Sequence, residues 1–251
     1  MTGVGAPTVL ILGGTAEARA LAATLDAAGV VVLSSLAGRV ARPRLPVGAV
    51  RIGGFGGPDA LADWLVEHGI ERVVDATHPF AERISGSAVH ACGVAQIPLL
   101  RLERPGWTAG PEDRWHWVDD LPQAETALRE LGARRVLLTS GRQGLAAFTA
   151  NADAWFLIRC VDPPAPADLP PQHEVLLDRG PYTLEGELGL IDSHAVDTIV
   201  TKDSGGPLTE AKLHAARARG LPVIVVRRPP RADVETVATV DDAAGWVLSQ
   251  R

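Results

Sequence analysis

Residues 8–18, Thr8-Val9-Leu10-Ile11-Leu12-Gly13-Gly14-Thr15-Ala16-Glu17-Ala18, decide how the rest of the chain is read. Residues favouring extended backbone run into Gly13-Gly14-Thr15, and a helical apolar pattern follows at once in Ala16, Ala18, Leu21, Ala22 and Leu25. The spacing predicts a strand, a tight turn and a helix N-terminus in immediate succession. Glycines let the backbone turn sharply and leave room for a ligand, while the first helical turn carries unpaired N–H groups and a partial positive charge. Gly13, Gly14, Thr15, Ala16 and Glu17 are therefore the candidate pyrophosphate cradle of a dinucleotide. The spelling departs from G-x-G-x-x-G, with Ala16 and Ala18 where further glycines are usual, and a βα turn without a ligand is the alternative.

Outward from this turn, strands at Val30–Leu33, Ala49–Ile52, Val73–Ala76 and Pro98–Leu102 alternate with helices opening at Pro58 and spanning Pro79–Cys92. That rhythm means βαβ units and a parallel sheet. From Arg104 to Asp120 it breaks, with two prolines, two glycines and three tryptophans. The domain boundary is placed here, giving an N-terminal Rossmann-like lobe over 1–105 and a C-terminal α/β lobe over 106–251. In the second lobe helices are expected at Leu121–Leu131, Gly144–Ala150, Leu184–His194 and Thr209–Arg219, with a closing helix Asp241–Ser249 capped by Asp241. Strands are expected at Arg135–Thr139, Trp155–Val161, Val175–Leu177, Thr198–Thr201 and Pro222–Arg227. The fold class is α/β: two Rossmann-like or flavodoxin-like lobes with mainly parallel sheets and an interdomain cleft.

The 251 residues suffice for a substantial core, and 46% hydrophobic with 22% charged residues is an ordinary globular balance. A net charge of −6 without a basic tail argues against nucleic acid as a partner. The apolar runs are strand-sized, no signal peptide is legible, and two cysteines are too few for a disulfide framework. A cytoplasmic protein without a membrane partner is expected.

Polar clusters follow the predicted strands. Asp75-Ala76-Thr77-His78-Pro79-Phe80 brings a hydroxyl, an imidazole and a helix start to the face of the glycine turn, so Thr77, His78, Pro79 and Phe80 are candidates for touching ligand. Ser140-Gly141-Arg142 is a small-residue turn suited to an anion, and Arg179 opens a constrained turn with Gly180-Pro181. Lys202-Asp203-Ser204-Gly205-Gly206, holding one of only two lysines, forms a loop able to hold phosphate or carboxylate. The second strand ends at Ser34-Ser35 with Arg39 and Arg42 beyond and no acid nearby, which favours NADP(H) over NAD(H). No metal-ligand spacing, hydrolase elbow or tyrosine–lysine dehydrogenase pair is present, so no metal is expected.

With these clusters in hand, the chain resembles the precorrin-6A reductases of cobalamin (vitamin B12) biosynthesis. Gly13-Gly14-Thr15 with Glu17-Ala18-Arg19, Ser35-Leu36-Ala37-Gly38-Arg39, Gly53-Gly54-Phe55-Gly56, Asp75 to Ala81, Arg179-Gly180-Pro181 and Thr201 to Gly206 carry the resemblance. The family more often has asparagine where this chain has Asp203. The resemblance implies NADPH-dependent reduction of a ring double bond of precorrin-6A to precorrin-6B. On that reading NADPH lies along Gly13–Thr15 with Arg39 near its 2′-phosphate and its nicotinamide toward Thr77–Phe80. The tetrapyrrole is held by Ser140, Gly141, Arg142, Arg179, Lys202, Ser204, Gly205 and Gly206, and His78, Lys202 and Asp203 are the catalytic candidates. Transient contact with neighbouring pathway enzymes is expected. The alternatives are a cobalt-precorrin-6A reductase of the early-cobalt pathway and a non-catalytic dinucleotide-binding sensor.

Overall fold

The computed structural model describes residues 8–38 and 41–249. In chain order it begins β1 (Thr8–Leu12), α1 (Ala16–Ala27), β2 (Val32–Leu36), β3 (Ala49–Ile52), α2 (Pro58–Glu67), β4 (Ile70–Asp75), α3 (Glu82–Ala95) and β5 (Leu99–Leu102). Then come β6 (Arg114–Val118), α4 (Leu121–Leu131), β7 (Arg135–Leu138), β8 (Trp155–Cys160), β9 (His173–Leu177), α5 (Leu184–Ser193), β10 (Thr198–Lys202), α6 (Ala211–Arg219) and β11 (Pro222–Val226). β12 (Thr236–Val237) and α7 (Val240–Ser249) close the chain. Among the described residues no helix is long and apolar enough to cross a membrane.

The chain divides into two compact units, one of Met1–Pro105 with Pro229–Arg251 and the other of Gly106–Arg228. Each holds a six-stranded sheet, and the strand pairs are parallel. The orders are β3-β2-β1-β4-β5-β12 and β9-β8-β7-β10-β11-β6. Both are the doubly wound 3-2-1-4-5 arrangement with a sixth strand added at one edge, so each has a switch point where the winding reverses. It falls between β1 and β4 in the first unit and between β7 and β10 in the second.

β1 reads as a continuous apolar run because it is covered on both faces. Val9 and Ile11 pack with the α1 stripe Ala18, Leu21, Ala22 and Leu25 and with Ala243 and Val247 of α7. Leu10 and Leu12 point the other way, toward Leu61 and Leu65 of α2 and Ala88 and Ala91 of α3. In the second unit Leu137, Leu157, Ile199 and Val223 pack under α5 and α6, while Leu121 and Leu128 of α4 are buried with Leu145 and Phe148 of a short 3₁₀ turn.

The structure departs from the sequence reading in several places. The second unit ends at Arg228 rather than at the end of the chain: residues 229–251 return to the first unit, where Thr236 pairs with Arg101 and α7 packs beside α1. β6 lies inside the stretch read as a boundary, since Arg114, Trp115, His116 and Trp117 alternate along an edge strand amid prolines and glycines. β2 runs on to Leu36, so Ser35 sits within the strand. α3 starts at Glu82 instead of Pro79, because the chain first makes a turn in which the Ala81 N–H donates to the His78 carbonyl at 2.8 Å. α7 is capped by Thr239, whose Oγ1 accepts from the Asp242 N–H at 3.1 Å, and not by Asp241.

Candidate functional site

The glycine turn stands at the first switch point. Register places Leu12 beside Asp75, and the Ala76 N–H donates to the Leu12 carbonyl at 3.0 Å, so the turn and the Asp75–Phe80 stretch leave the sheet side by side. Gly14 has φ +115, and a Cβ there would meet nothing within 4 Å. Gly53, with φ +125, and Gly54 are equally open. Bare backbone with clear space above it, at the carboxyl ends of β1 and β3, fits the approach of a dinucleotide. Gly13 has a different role: a Cβ there would lie 3.4 Å from the Ala18 Cβ, so it lets α1 pack closely against the sheet.

Thr15 is occupied internally. Its hydroxyl caps α1 by accepting from the Ala18 N–H at 3.1 Å and donates to the Ala76 carbonyl at 2.7 Å, fastening the turn to the end of β4. The Gly13 N–H donates to the Ser35 carbonyl at 2.9 Å, so what remains for an anion is the backbone of Gly14 to Glu17 at the helix start. The Glu17 carboxylate pairs with Arg104 at 2.7 Å, which offsets its repulsion of a phosphate at that turn. Arg39 lies outside the described residues. Arg51, which sequence reasoning passed over, reaches the same strand end from β3. It donates to Ser35 Oγ at 2.9 Å and to the Gly53 and Gly54 carbonyls at 3.1 and 3.0 Å, and it lies 3.7 Å over the Phe55 ring.

Asp75 organises the neighbouring loop. It is buried, and its Oδ1 accepts from the Thr77 hydroxyl at 2.6 Å and the Thr77 N–H at 3.2 Å, so that hydroxyl is committed to the scaffold. His78 Nδ1 accepts from the Phe80 N–H at 3.3 Å, which leaves the proton of the neutral ring on Nε2. Pro79 is buried against the loop and Phe80 lies near the His78 ring, 5.7 Å between centroids. Arg231 clamps this loop, donating to the His78 carbonyl at 2.9 Å and pairing with Glu103 at 2.7 Å. No local pattern marks Arg231, which lies 153 positions from His78. Burial, with Asp75 adding, pushes the Cys92 thiol up to about 12, and burial raises Cys160 too, so neither is a reactive thiolate.

The second switch point has another character. The Thr139 N–H donates to the Val200 carbonyl at 2.9 Å, bringing Thr139–Gly141 beside Thr201–Ser204. A cavity of about 170 Å³ opens there, with Thr139, Gly141, Thr201, Ser204, Arg159, Tyr182 and Lys212 in its lining. Strand alternation sends Thr201 and Lys202 to opposite sides, so the lysine on the lining is Lys212 of α6 and not Lys202. Burial lowers the Lys202 ammonium from its usual range. Ser140 is buried beside the cavity, and Arg142 is exposed. Arg179 is absent from the lining, where its neighbour Asp178 appears.

Asp203 is engaged by the chain around it. Its Oδ1 accepts from the Trp107 N–H at 3.0 Å, and its Oδ2 lies 3.3 Å from Arg228 Nε. A Cβ on Gly106 would come 2.5 Å from Oδ2, so a side chain there would displace the Asp203 carboxylate. One carboxylate thus fastens both the first and the last residues of the second unit. Gly205 and Gly206 turn in the left-handed region at φ +62 and +73, and the Gly206 carbonyl accepts from Trp107 Nε1 at 3.2 Å. Among the described residues no group of three or more His, Cys, Asp or Glu could hold a metal ion.

Comparison with known proteins agrees with this architecture. A family model described as "Precorrin-6x reductase CbiJ/CobK" matches residues 8–248. A protein of Rhodococcus erythropolis named precorrin-6A reductase is 52% identical over 243 residues, covering 95% of this chain and 96% of its own length. One of Priestia megaterium named cobalt-precorrin-6A reductase is 32% identical over 259 residues, with 96% and 98% covered. A solved structure titled "CobK precorrin-6A reductase" superposes with a TM-score of 0.91 at 42% identity, covering 97% of this chain and 96% of that one. With a family model spanning both units and relatives matched over nearly their whole length, this chain belongs to the precorrin-6x reductase family.

Proposed function

We propose that the chain reduces a ring double bond of precorrin-6A to give precorrin-6B, using NADPH. The observation that carries this reading is the family match over residues 8–248, which includes both switch points. The relatives at 52% and 50% identity are named for the metal-free substrate and the cobalt enzyme stands at 32%, which favours metal-free precorrin-6A here.

A nicotinamide cofactor supplies a hydride when bound. The backbone from Gly14 to Glu17 binds its pyrophosphate, with Gly14 contributing open space instead of a side chain and Gly13 holding the turn to Ser35. Arg51 and Ser35, together with Arg39, are assigned to the 2′-phosphate, since the Arg51 guanidinium reaches Ser35 from β3 and pairs with no carboxylate among the described residues, which suits that group. His78 holds a proton at Nε2 for the face of the first switch point, and Asp75, Thr77 and Arg231 keep its loop in one conformation. Holding reactants in place is worth roughly 7–11 kcal/mol in favourable cases, so the rigidity of these loops is itself part of the catalyst.

Mixing the full chain with NADPH and precorrin-6A is expected to consume nucleotide absorbance in step with precorrin-6B formation, and more slowly with NADH. No oxidation of either nucleotide in the presence of precorrin-6A overturns the reading.

A further inference from the structure

Lys212 is 3% exposed and lies on the lining of the second unit's cavity. Its ammonium donates to the Thr209 carbonyl and sits 4.6 Å from the Trp107 ring centroid. Among the described residues no carboxylate stands within ion-pair distance of it. The adjacent cation is already balanced: Arg159 pairs with the buried Glu187 at 2.7 Å and lies 3.8 Å over the Tyr182 ring. Arg159, Glu187 and charged Lys212 therefore leave one positive charge without a counter-ion inside the protein, an arrangement that is costly unless an anion arrives.

The cavity around that charge is small. Its volume of about 170 Å³ falls below the roughly 300–1,000 Å³ of sites that enclose a whole drug-sized ligand. It therefore admits an arm and not a macrocycle. The Thr139 and Thr201 hydroxyls donate to the Val200 and Lys202 carbonyls, so these two are committed to the backbone. Asp178, the carboxylate on the lining, is exposed and accepts from the Arg179 N–H at 2.7 Å, which leaves its charge solvated.

We infer that this cavity receives one carboxylate arm of the tetrapyrrole, with Lys212 as the counter-ion that anchors it. The inference rests on the substrate proposed above. Burial, with Arg159 adding, pushes Lys212 down to about 7, while Glu187 and Glu210 pull the other way. A carboxylate entering the cavity favours the charged ammonium, so binding above pH 7 takes up a proton at Lys212.

The test is absorbance titration of precorrin-6A into the full chain saturated with NADP, comparing wild type with Lys212→Met at pH 8. The variant is expected to bind about tenfold more weakly or worse, a loss in the range of a charge-assisted hydrogen bond. Calorimetry in two buffers of different ionisation enthalpy is expected to show proton uptake by wild type and none by the variant. The methyl-esterified tetrapyrrole is expected to bind both proteins alike. Unchanged affinity and unchanged proton uptake in Lys212→Met overturn the anchor. If wild type fails to bind precorrin-6A, or the variant fails to fold, acetate titration of wild type read at the Lys212 ¹⁵Nζ resonance decides. A saturable shift supports a carboxylate receptor even where the tetrapyrrole reading has failed, and no shift overturns it.

Discussion

The first switch point presents backbone; the second presents side chains brought to its cavity from β8 and α6. Gly14, Gly53 and Gly54 leave the first switch point bare, with Thr15 turned inward onto Ala76 and Glu17 neutralised by Arg104. The second switch point has Lys212, Arg159 and Tyr182 on the lining of a cavity, with Glu187 paired to Arg159. Both sit in the same 3-2-1-4-5 strand order. A shared winding fixes where a ligand can approach, and the residues gathered there decide which ligand it is. Peptide N–H groups at a helix start suit the pyrophosphate of a nucleotide. A buried ammonium suits an acid arm.

The strongest way to break this contrast is Glu187→Gln, which leaves Arg159 buried without its partner. Stability of the second unit is expected to fall by about 3–5 kcal/mol, read from urea unfolding. A loss below about 1 kcal/mol shows that the charges there are solvated, and the contrast fails. Next in size is Gly14→Val. It places a β-branched side chain at φ +115, in the space assigned to the nucleotide. NADPH dissociation constants are expected to rise about 100-fold, beyond the roughly 1–3 kcal/mol of backbone strain. Fluorescence titration checks this, and precorrin-6A affinity is expected to stay the same. Equal weakening of both ligands removes the division of labour between the units. Smallest is Arg51→Ala, expected to weaken NADPH about tenfold and leave NADH unchanged. Equal effects on the two nucleotides reduce Arg51 to a support for the Gly53-Gly54 loop.

Legibility followed the range of the interactions. The strand–turn–helix at residues 8–27 was readable because its signals are local: an apolar run, paired glycines, a threonine cap and an i, i+3, i+4 stripe. The alternation of strands and helices was readable for the same reason. β6 was hidden among prolines and glycines, because an edge strand takes half its definition from the partner it pairs with. No local pattern marks Lys212, since only the packing of α6 turns it into a cavity. Arg231 and Arg51 carry no motif at all, and their roles exist only through distant chain brought alongside.

By itself the sequence determined the α/β class, the parallel sheets and the glycine turn, since hydrophobic period and turn chemistry act over a few residues. Tertiary structure alone decided that residues 229–251 rejoin the first unit, that Asp203 fastens both ends of the second, and that Lys212 becomes the buried cation. Each of those outcomes depends on contacts between positions far apart in the chain. Burial and pairing across such distances are properties of the packed fold, and no local pattern of residues encodes them.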